Sequence, residues 1–216
     1  MMAAEYQTVE KALAYLAAAD SIRERTHGER MVVDLLPSGV KRVLDLGTGD
    51  GRLLSIVQIA HPEIQGIGVD FSPTMIERAR ERFAHDANIQ IIAHDFNDPI
   101  VGLGTFDAVV SCFAIHHVED PRKQALYGEI FSMLSPGGVF INLEHVSSPT
   151  EKLHDEFLTA MGLTRTTEDR SNRCSPIATQ IQWLEQIGFI DVDCFWKWRE
   201  LAVLAGAKPA VDQIAI

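Results

Sequence analysis

The sequence lacks the features that mark secreted, membrane-spanning or metal-binding chains. Its 216 residues include only three cysteines, too few for a disulfide framework, and no CxxC pair of the kind that binds zinc. No apolar run approaches the roughly 20 residues needed to cross a bilayer. The amino-terminal stretch has no basic leader before a continuous apolar segment, so it predicts no signal peptide. We therefore expect a cytoplasmic protein without a membrane partner.

Basic residues are also scarce. The chain has 19 Lys and Arg against 30 Asp and Glu, which gives a formal net charge of -11 at pH 7. This charge repels phosphate backbones at long range, so the composition disfavours DNA or RNA as a partner. No internal repeat or flexible linker divides the sequence, and its length suits one domain of ordinary size. We predict a single domain over residues 1–216.

Short apolar runs alternate with amphipathic segments along most of the chain. The runs are nearly continuous in Val, Ile, Leu or Phe, which is typical of strands covered on both faces and predicts parallel βαβ units. Two runs after Gly188 follow each other too closely to hold a helix, so that pair must be antiparallel. The predicted strands are 42–46, 65–70, 89–94, 108–113, 139–143, 189–198 and 201–207. The predicted fold is α/β and Rossmann-like: a doubly wound, seven-stranded, mostly parallel sheet with an antiparallel carboxyl-terminal strand pair.

Four Ser-Pro or Asp-Pro pairs predict where helices begin. In each pair an N-cap side chain precedes a proline, whose fixed φ and missing N–H suit the first helical position. The pairs stand at residues 72–73, 120–121, 148–149 and 175–176. Helices are expected to follow all four.

The strongest local signal is the glycine-rich stretch VLDLGTGDG at residues 43–51, after the first predicted strand. Gly47 and Gly49 permit a sharp turn and a close approach of a ligand to the backbone. The stretch lacks the GxxxxGK[ST] pattern of phosphate-binding loops, and Arg52 stands where a GxGxxG dinucleotide fingerprint requires glycine. Asp45, before the first glycine, suits a cationic ligand better than a pyrophosphate.

Two further carboxylates end the next two predicted strands. Asp70 stands where an acidic side chain can accept hydrogen bonds from ribose hydroxyls. Asp95 can accept a hydrogen bond from an adenine amino group, while Phe96 flanks the ring. Because NAD-dependent enzymes share the ribose contact, Asp70 alone indicates an adenosine-containing cofactor without naming it.

Together with FDAVV at 106–110 and LSPGG at 134–138, these segments resemble the class I S-adenosylmethionine-dependent methyltransferases over about residues 40–146. The resemblance implies the strand order 3-2-1-4-5-7-6 and S-adenosylmethionine as the cofactor. It also implies which residues contact each part of that cofactor. These are Asp45, Gly47, Thr48 and Gly49 at the methionine moiety, Asp70 at the ribose, Phe71, Met75, Asp95 and Phe96 at the adenine, and Ser111 beside the sulfonium.

The run SCFAIHHV at 111–118, followed by NLEHV at 142–146, is similar to the small-molecule type within that family. It shows some similarity to the wobble-uridine carboxymethyltransferase of tRNA as well. The [ND]PP[YF] signature of amino-methylating enzymes is missing. We therefore expect methyl transfer from S-adenosylmethionine to a small-molecule acceptor. The alternatives are a tRNA-modifying methyl or carboxymethyl transferase, a non-catalytic S-adenosylmethionine-binding module, and a nicotinamide-dependent oxidoreductase.

Candidate catalytic side chains follow the fourth and fifth predicted strands, where the cleft of such a sheet opens. His116, His117 and Glu144 are predicted to be catalytic, since a histidine titrates near neutrality and can take a proton from the acceptor. A Glu/His group could instead hold a divalent cation, although we assign no metal ligands. His145 is expected on the face opposite Glu144, in a structural role.

Residues 5–30 and 149–173 fall outside the strand pattern and are predicted to cover the cleft as lid and substrate segments. The first of these segments contains a predicted helix over residues 9–18. Tyr6, Tyr15 and Arg25 are its candidate lining residues. Arg25 could bind a carboxylate of the cofactor or the substrate.

Overall fold

The computed structural model describes residues 23–211, and its centre is a seven-stranded sheet in the order β3-β2-β1-β4-β5-β7-β6. Strands β1 to β5 run parallel to one another. Strand β7 pairs antiparallel with both β5 and β6. The strands are β1 Arg42–Leu46, β2 Gln65–Asp70, β3 Ile89–Ala93, β4 Phe106–Cys112, β5 Leu134–His145, β6 Ile190–Trp198 and β7 Leu201–Ala207. The predicted fold and strand order are confirmed, and β5 extends beyond both of its predicted ends.

Six α-helices flank the sheet between residues 23 and 211. They are α1 Arg23–Asp34, α2 Arg52–Ala60, α3 Pro73–Arg82, α4 Asp120–Met133, α5 Glu151–Ala160 and α6 Ile177–Ile187, with a 3₁₀ turn at Ile115–His117. Within that described range, none of the helices is long and apolar enough to cross a membrane. The predicted helix over residues 9–18 lies outside the described residues.

The two faces of the sheet are covered by different helices. Val43 of β1 and Ile141 of β5 pack in a core with α1, α2 and α5, whereas Leu44 and Phe140, one residue away, pack in a second core with α4 and α6. Both side-chain orientations of these inner strands are therefore buried, which explains their uninterrupted apolar composition. Strand β6 alternates partly buried and exposed residues because it forms one edge of the sheet.

The helix starts agree with the Ser-Pro and Asp-Pro pairs only in part. Helix α3 begins at Pro73 after Ser72, as predicted, and α6 begins one residue later than predicted, after Pro176. Helix α4 begins at Asp120 itself, with Glu119 at the N-cap, and the Asp120 carboxylate accepts a hydrogen bond from Ser175 Oγ.

The prediction of a helix start at residues 148–149 is wrong. Helix α5 begins at Glu151, and its N-cap is Thr150, whose hydroxyl oxygen accepts a hydrogen bond from the Leu153 N–H at 3.3 Å. An N-cap side chain serves the N–H groups two and three residues after it, and Ser148 is too far from Leu153 to do so.

Candidate active site

The glycine-rich turn after β1 adopts the backbone conformation that its sequence predicts. Gly47 and Gly49 have φ values of +71° and +56°, in the left-handed region that favours glycine. A Cβ on Gly47 would lie 2.1 Å from the Cβ of Ala114, so this glycine lets the segment after β4 pack against the turn. A Cβ on Gly49 would meet nothing within 4 Å. Gly49 therefore leaves open space beside the backbone.

A cleft that is partly open to solvent lies above this turn at the carboxyl ends of β1, β2 and β4. Ten predicted site residues line it: Arg25, Gly47, Thr48, Gly49, Asp70, Phe71, Met75, Asp95, Phe96 and His117. Residues from five separate stretches of the sequence therefore meet around one space.

Several lining residues were missed by the sequence analysis. These are Asp50, Leu53, Ser72, Asn97, Cys112, Phe113, Ala114, Val118 and Ser171. Most are neighbours of predicted residues, so extending each motif by one or two positions would have found them. Ser171 is different, because it lies 54 residues from His117, to which it hydrogen-bonds. No local pattern links those two positions.

Asp70 ends β2 and holds the glycine turn and the start of α3. Its Oδ2 accepts a hydrogen bond from the Gly49 N–H at 2.9 Å, and its Oδ1 accepts one from the Ser72 N–H at 2.8 Å. Burial raises the pKa of Asp70, and these two hydrogen bonds only partly offset that effect. Each carboxylate oxygen has a second lone pair, so Asp70 can accept further hydrogen bonds from a ligand in the cleft.

Asp45 lies beneath the turn and not on the surface of the cleft. Its Oδ2 accepts a hydrogen bond from Thr48 Oγ1 at 2.7 Å, while its fully buried Oδ1 has no hydrogen-bond partner among residues 23–211. Burial raises the pKa of Asp45 to about 7, against the lowering effect of the Thr48 hydroxyl. Asp45 therefore lies one layer below the lining residues Gly47 and Thr48, and its place near the methionine moiety stays a prediction.

Ser111 is not among the residues that line the cleft, and its place beside the sulfonium stays a prediction. Its side chain is fully buried, and its Oγ donates a hydrogen bond to the Leu46 carbonyl at 2.7 Å. Ser111 belongs to the regular part of β4, paired with Leu46 of β1, so its hydroxyl connects two strands. The cleft wall at this end is formed by the next residues, Cys112 and Phe113.

The structure separates the three residues predicted to be catalytic. His117 lines the cleft, whereas His116 and Glu144 lie behind it and bind each other, with 2.6 Å between His116 Nδ1 and Glu144 Oε1. Glu144 also accepts hydrogen bonds from Asn142 Nδ2 and from the His145 N–H. Burial opposes ionisation of Glu144, but the charge and hydrogen bond of His116 lower its pKa. His116 and Glu144 thus form a buried pair, and the catalytic roles predicted for them stay predictions.

His117 is the histidine at the cleft surface. Its Nδ1 lies 3.0 Å from Ser171 Oγ, and its ring centroid lies 4.1 Å from that of His116. Burial, together with repulsion from His116, lowers the pKa of His117 to about 3. The imidazole is therefore neutral at physiological pH and carries a lone pair on one nitrogen.

His145 lies on the face opposite Glu144, as the strand alternation predicts. Its ring packs 5.1 Å from that of Phe157 of α5, and its Nε2 lies 3.0 Å from Glu200 Oε2. The other Glu200 oxygen binds His154 Nδ1 at 2.9 Å. His145 thus connects β5 to α5 and to the start of β7.

Arg25 of α1 brings positive charge to the wall of the cleft. Its side chain is 7% exposed, and its Nε donates to Glu29 Oε1 at 2.7 Å. The same buried carboxylate receives two hydrogen bonds from Arg52, at 2.7 and 2.9 Å. Two guanidinium groups therefore share one carboxylate at this side of the cleft.

The two predicted lid segments are described to different extents. Residues 5–22, with Tyr6 and Tyr15, lie outside the described residues. The segment after α5 is anchored beside the cleft, since the Arg173 N–H donates to the His116 carbonyl at 2.7 Å and Lys123 Nζ donates to Ser175 Oγ at 2.6 Å. Among residues 23–211, no group of three or more His, Cys, Asp or Glu side chains could hold a metal ion.

Comparison with known proteins adds to this geometry. A family model described as a methyltransferase domain matches residues 43–138. The chain is 34% identical over 122 residues to a demethylmenaquinone methyltransferase from Thermus thermophilus, which covers 56% of this chain and 54% of that protein. It is 25% identical over 187 residues to the carboxy-S-adenosyl-L-methionine synthase of Helicobacter hepaticus, covering 79% and 77%. The chain thus spans about half the length of the first of these relatives.

A solved structure with the same fold is that of human N-acetylserotonin methyltransferase in complex with S-adenosylmethionine. It superimposes with a TM-score of 0.70 at 19% sequence identity, over 95% of this chain and 58% of that one. At this identity the likeness shows the fold alone.

Proposed function

We propose that this chain is a class I S-adenosylmethionine-dependent methyltransferase and that it transfers a methyl group from S-adenosylmethionine to a small-molecule acceptor. One observation carries the proposal. Asp70 at the end of β2 and Asp95 two residues after β3 line the same cleft as the glycine turn that follows β1. That arrangement suits a nucleoside whose ribose and base extend across the carboxyl ends of parallel strands.

The chemistry of the residues in the cleft suits this cofactor. Gly49 leaves space where any other side chain would project, and the flat side of an adenine can pack between Phe71, Met75 and Phe96. Asp45 Oδ1 is a buried carboxylate oxygen without a partner among the described residues, directly below the turn. A positively charged ligand above the turn would offset the cost of that unpaired oxygen. The Arg25 guanidinium lines the α1 side of the cleft and is a group of the type that binds carboxylates.

For methyl transfer, the main tasks of the protein are to align the two reactants and to exclude water. When bound, the cofactor supplies a methyl group activated by the adjacent sulfonium charge. Asp70 binds and orients the ribose end, and the glycine turn fixes the depth at which the ligand sits. Phe113 and Cys112 form the wall beyond Ala114. His117 is neutral and lies at the cleft surface, and its lowered pKa makes it a weak proton acceptor, so the proposed step depends mainly on alignment of the reactants.

A small-molecule acceptor is supported by the composition of the cleft and by the relatives. Apolar side chains such as Phe113, Ala114 and Val118 line the acceptor side, and the net charge of -11 disfavours a polyanionic substrate. The similar demethylmenaquinone methyltransferase is named for a small-molecule acceptor. We therefore favour an uncharged small-molecule acceptor.

A second candidate function uses a carboxylated form of the cofactor. The similarity to carboxy-S-adenosyl-L-methionine synthase extends over 79% of this chain, and the buried Arg25 guanidinium on the cleft wall could bind an additional carboxylate. An Arg25→Lys variant separates the two candidates. If the second holds, it weakens binding of carboxy-S-adenosylmethionine more than binding of S-adenosylmethionine, because lysine cannot form the two-point contact of a guanidinium.

Calorimetric titration with S-adenosylhomocysteine and with NAD tests the proposed cofactor. We expect saturable binding of the homocysteine compound and no heat from NAD. In an Asp70→Asn variant the affinity should fall by about tenfold or more, because a charged hydrogen bond contributes about 1.5–3 kcal/mol. Glu77→Gln, an exposed change on α3, is the matched control and should bind like the wild type. Tight NAD binding without a response to the homocysteine compound would overturn the proposal.

A further inference from the structure

The loop between β3 and β4, residues 94–105, carries three residues that line the cleft. The loop consists of turns and bends. Strand β3 brings Asp95 to the edge of the cleft, and Phe96 and Asn97 follow it. Asp95 Oδ1 accepts hydrogen bonds from the N–H and the side-chain amide of Asn97, at 2.9 and 2.8 Å. A carboxylate offers about four lone pairs, so Asp95 can accept a further hydrogen bond from a ligand.

Arg122, in the first turn of α4, binds the backbone of this loop. Its Nε donates to the Phe96 carbonyl, and its Nη2 donates to the Asp98 carbonyl at 2.9 Å. A guanidinium presents its donors in a rigid plane, so one side chain reaches both carbonyls at a fixed spacing. The backbone directly after Asp95 is therefore fixed at two points.

Glu129 holds the Arg122 side chain in that orientation. The two residues are seven positions apart on α4 and so lie on the same face of the helix. Glu129 Oε1 accepts from Arg122 Nη1 at 2.6 Å, while Oε2 accepts from Arg122 Nη2 at 2.9 Å and from the Ile100 N–H at 3.0 Å. Burial raises the pKa of Glu129, but these hydrogen bonds outweigh burial and lower the pKa below its usual value. The carboxylate is therefore ionised at pH 7, and the charged pair binds the loop at three backbone groups.

Apolar packing and the charged pair make different contributions to the loop. Phe96 and Ile100 are buried in the same core as Leu126 and Ile130 of α4, which keeps the loop close to the helix. Burial of apolar surface has no preferred direction, whereas a hydrogen bond does. The hydrogen bonds of the Arg122 fork therefore set the orientation of the loop backbone.

We propose that Arg122, held by Glu129, is a positioning residue that keeps the Asp95 carboxylate directed into the cleft, where it selects an adenine base through the amino group of that base. The inference rests on the proposed binding of S-adenosylmethionine. Arg122 itself is assigned no contact with the ligand. Without Arg122 the loop should still pack through Phe96 and Ile100, but the Asp95 carboxylate should take up several orientations and discriminate less between bases.

Calorimetric titration of the full chain with two ligands tests this preference. One ligand is S-adenosylhomocysteine, and the other is its 6-deamino analogue, which carries a hydrogen atom in place of the adenine amino group. The wild type should bind S-adenosylhomocysteine about tenfold more tightly than the analogue, because the analogue cannot donate to the carboxylate. In Arg122→Gln the preference should fall to about threefold or less, since the affinity for S-adenosylhomocysteine falls while that for the analogue changes little.

Two further variants separate orientation of the loop from charge and from folding. Arg122→Lys keeps a positive charge beside Glu129 but lacks the planar fork that reaches both carbonyls, so its preference should fall as well. Arg78→Gln removes the same charge from an exposed site on α3 and should keep the wild-type preference.

The results that would overturn the inference are distinct from those that would overturn the proposed function. A wild type without a preference, an unchanged preference in either Arg122 variant, an equal weakening of both ligands, or the same fall in Arg78→Gln would each overturn the role of Arg122. Failure of the wild type to bind S-adenosylhomocysteine would instead overturn the proposed function.

Discussion

The two ends of the cleft are built in different ways. The end at β1 to β3 uses backbone and strand-terminal carboxylates, each close in sequence to the turn or strand that positions it, as with Asp70 and the Ser72 N–H. The end at β4 and β5 is built from side chains that are far apart in the sequence. His116 lies 28 residues from Glu144, and His117 lies 54 residues from Ser171.

This difference shows which part of the site is general and which part is particular to this chain. A nucleoside is held by groups that any sheet of this type can offer at its strand ends. The structure of the end at β4 and β5 depends on how the segment after α5 folds back over the 3₁₀ turn. Lys123, Ser175 and the Arg173 backbone anchor that segment. Substitutions at the β1 to β3 end should therefore affect the glycine turn and ligand binding. Substitutions at the β4 and β5 end should affect local stability and the positions of protons.

The largest effect should come from Gly47 in the turn. A Gly47→Ala variant forces a side chain into a left-handed backbone and against Ala114, so the free energy of unfolding should fall by about 4 kcal/mol. Gly49→Ala carries only the backbone penalty and should lose about 1 kcal/mol, yet weaken S-adenosylhomocysteine binding because its methyl enters the cleft. Urea denaturation measures both losses.

Gly39→Ala is the matched control for these glycine variants, since Gly39 has open space around it. Its free energy of unfolding should stay within about 0.5 kcal/mol of the wild type. Equal losses at Gly47 and Gly49 would contradict the close packing of the turn against Ala114.

An intermediate effect is expected for the buried pair behind the cleft. Glu144→Gln removes a charged hydrogen bond to His116 and should lower the free energy of unfolding by about 2 kcal/mol at pH 7. The folded-state pKa of Glu144 is lowered from 4.5, so its contribution is complete above pH 4.5 and disappears as the pH falls through the lowered value. The gap between variant and wild type should narrow accordingly in acid.

Cofactor binding provides the control for that variant. Because Glu144 does not line the cleft, the affinity for S-adenosylhomocysteine should be unchanged at pH 7. A loss of affinity similar to that of Asp70→Asn would show that the two ends of the cleft are coupled, and the distinction drawn between them would be wrong.

The smallest effect concerns His154 on α5, which binds Glu200 and Glu168. Burial lowers its pKa, but the hydrogen bonds and charges of these glutamates outweigh burial and raise it above 6.5. The stabilisation is therefore complete below pH 6.5 and is lost as the pH rises through the raised pKa. His154→Gln should lower the thermal midpoint slightly at pH 6 and less at pH 9, with an effect below about 1 kcal/mol.

Lys152→Gln offers a comparison on the same helix. Lys152 is exposed and lies 4.0 Å from Glu156, so its removal should leave the thermal midpoint unchanged at either pH. A His154→Gln deficit that grows with pH would contradict the assigned direction of the pKa shift.

The sequence predicted the sheet, and its resemblance to a known family implied the strand order; the structure confirms both. Asp70, Asp95 and the glycine turn, which line the cleft, were identifiable because backbone geometry and strand position place them within a few residues of a recognisable pattern. Ser111 and Asp45 lie below the cleft surface. The sequence could not show this, because the direction in which each side chain points depends on neighbouring strands and helices.

What the sequence alone determined is the alternation of buried strands and helices and the turn that glycine permits, because these follow from local sterics and from burial of apolar side chains. Only the tertiary structure decided which histidine reaches the cleft and which one is paired behind it. His116 and His117 are adjacent and chemically identical in the sequence. Glu144 on one side and Ser171 on the other give them different partners, and contacts between distant segments set those partners.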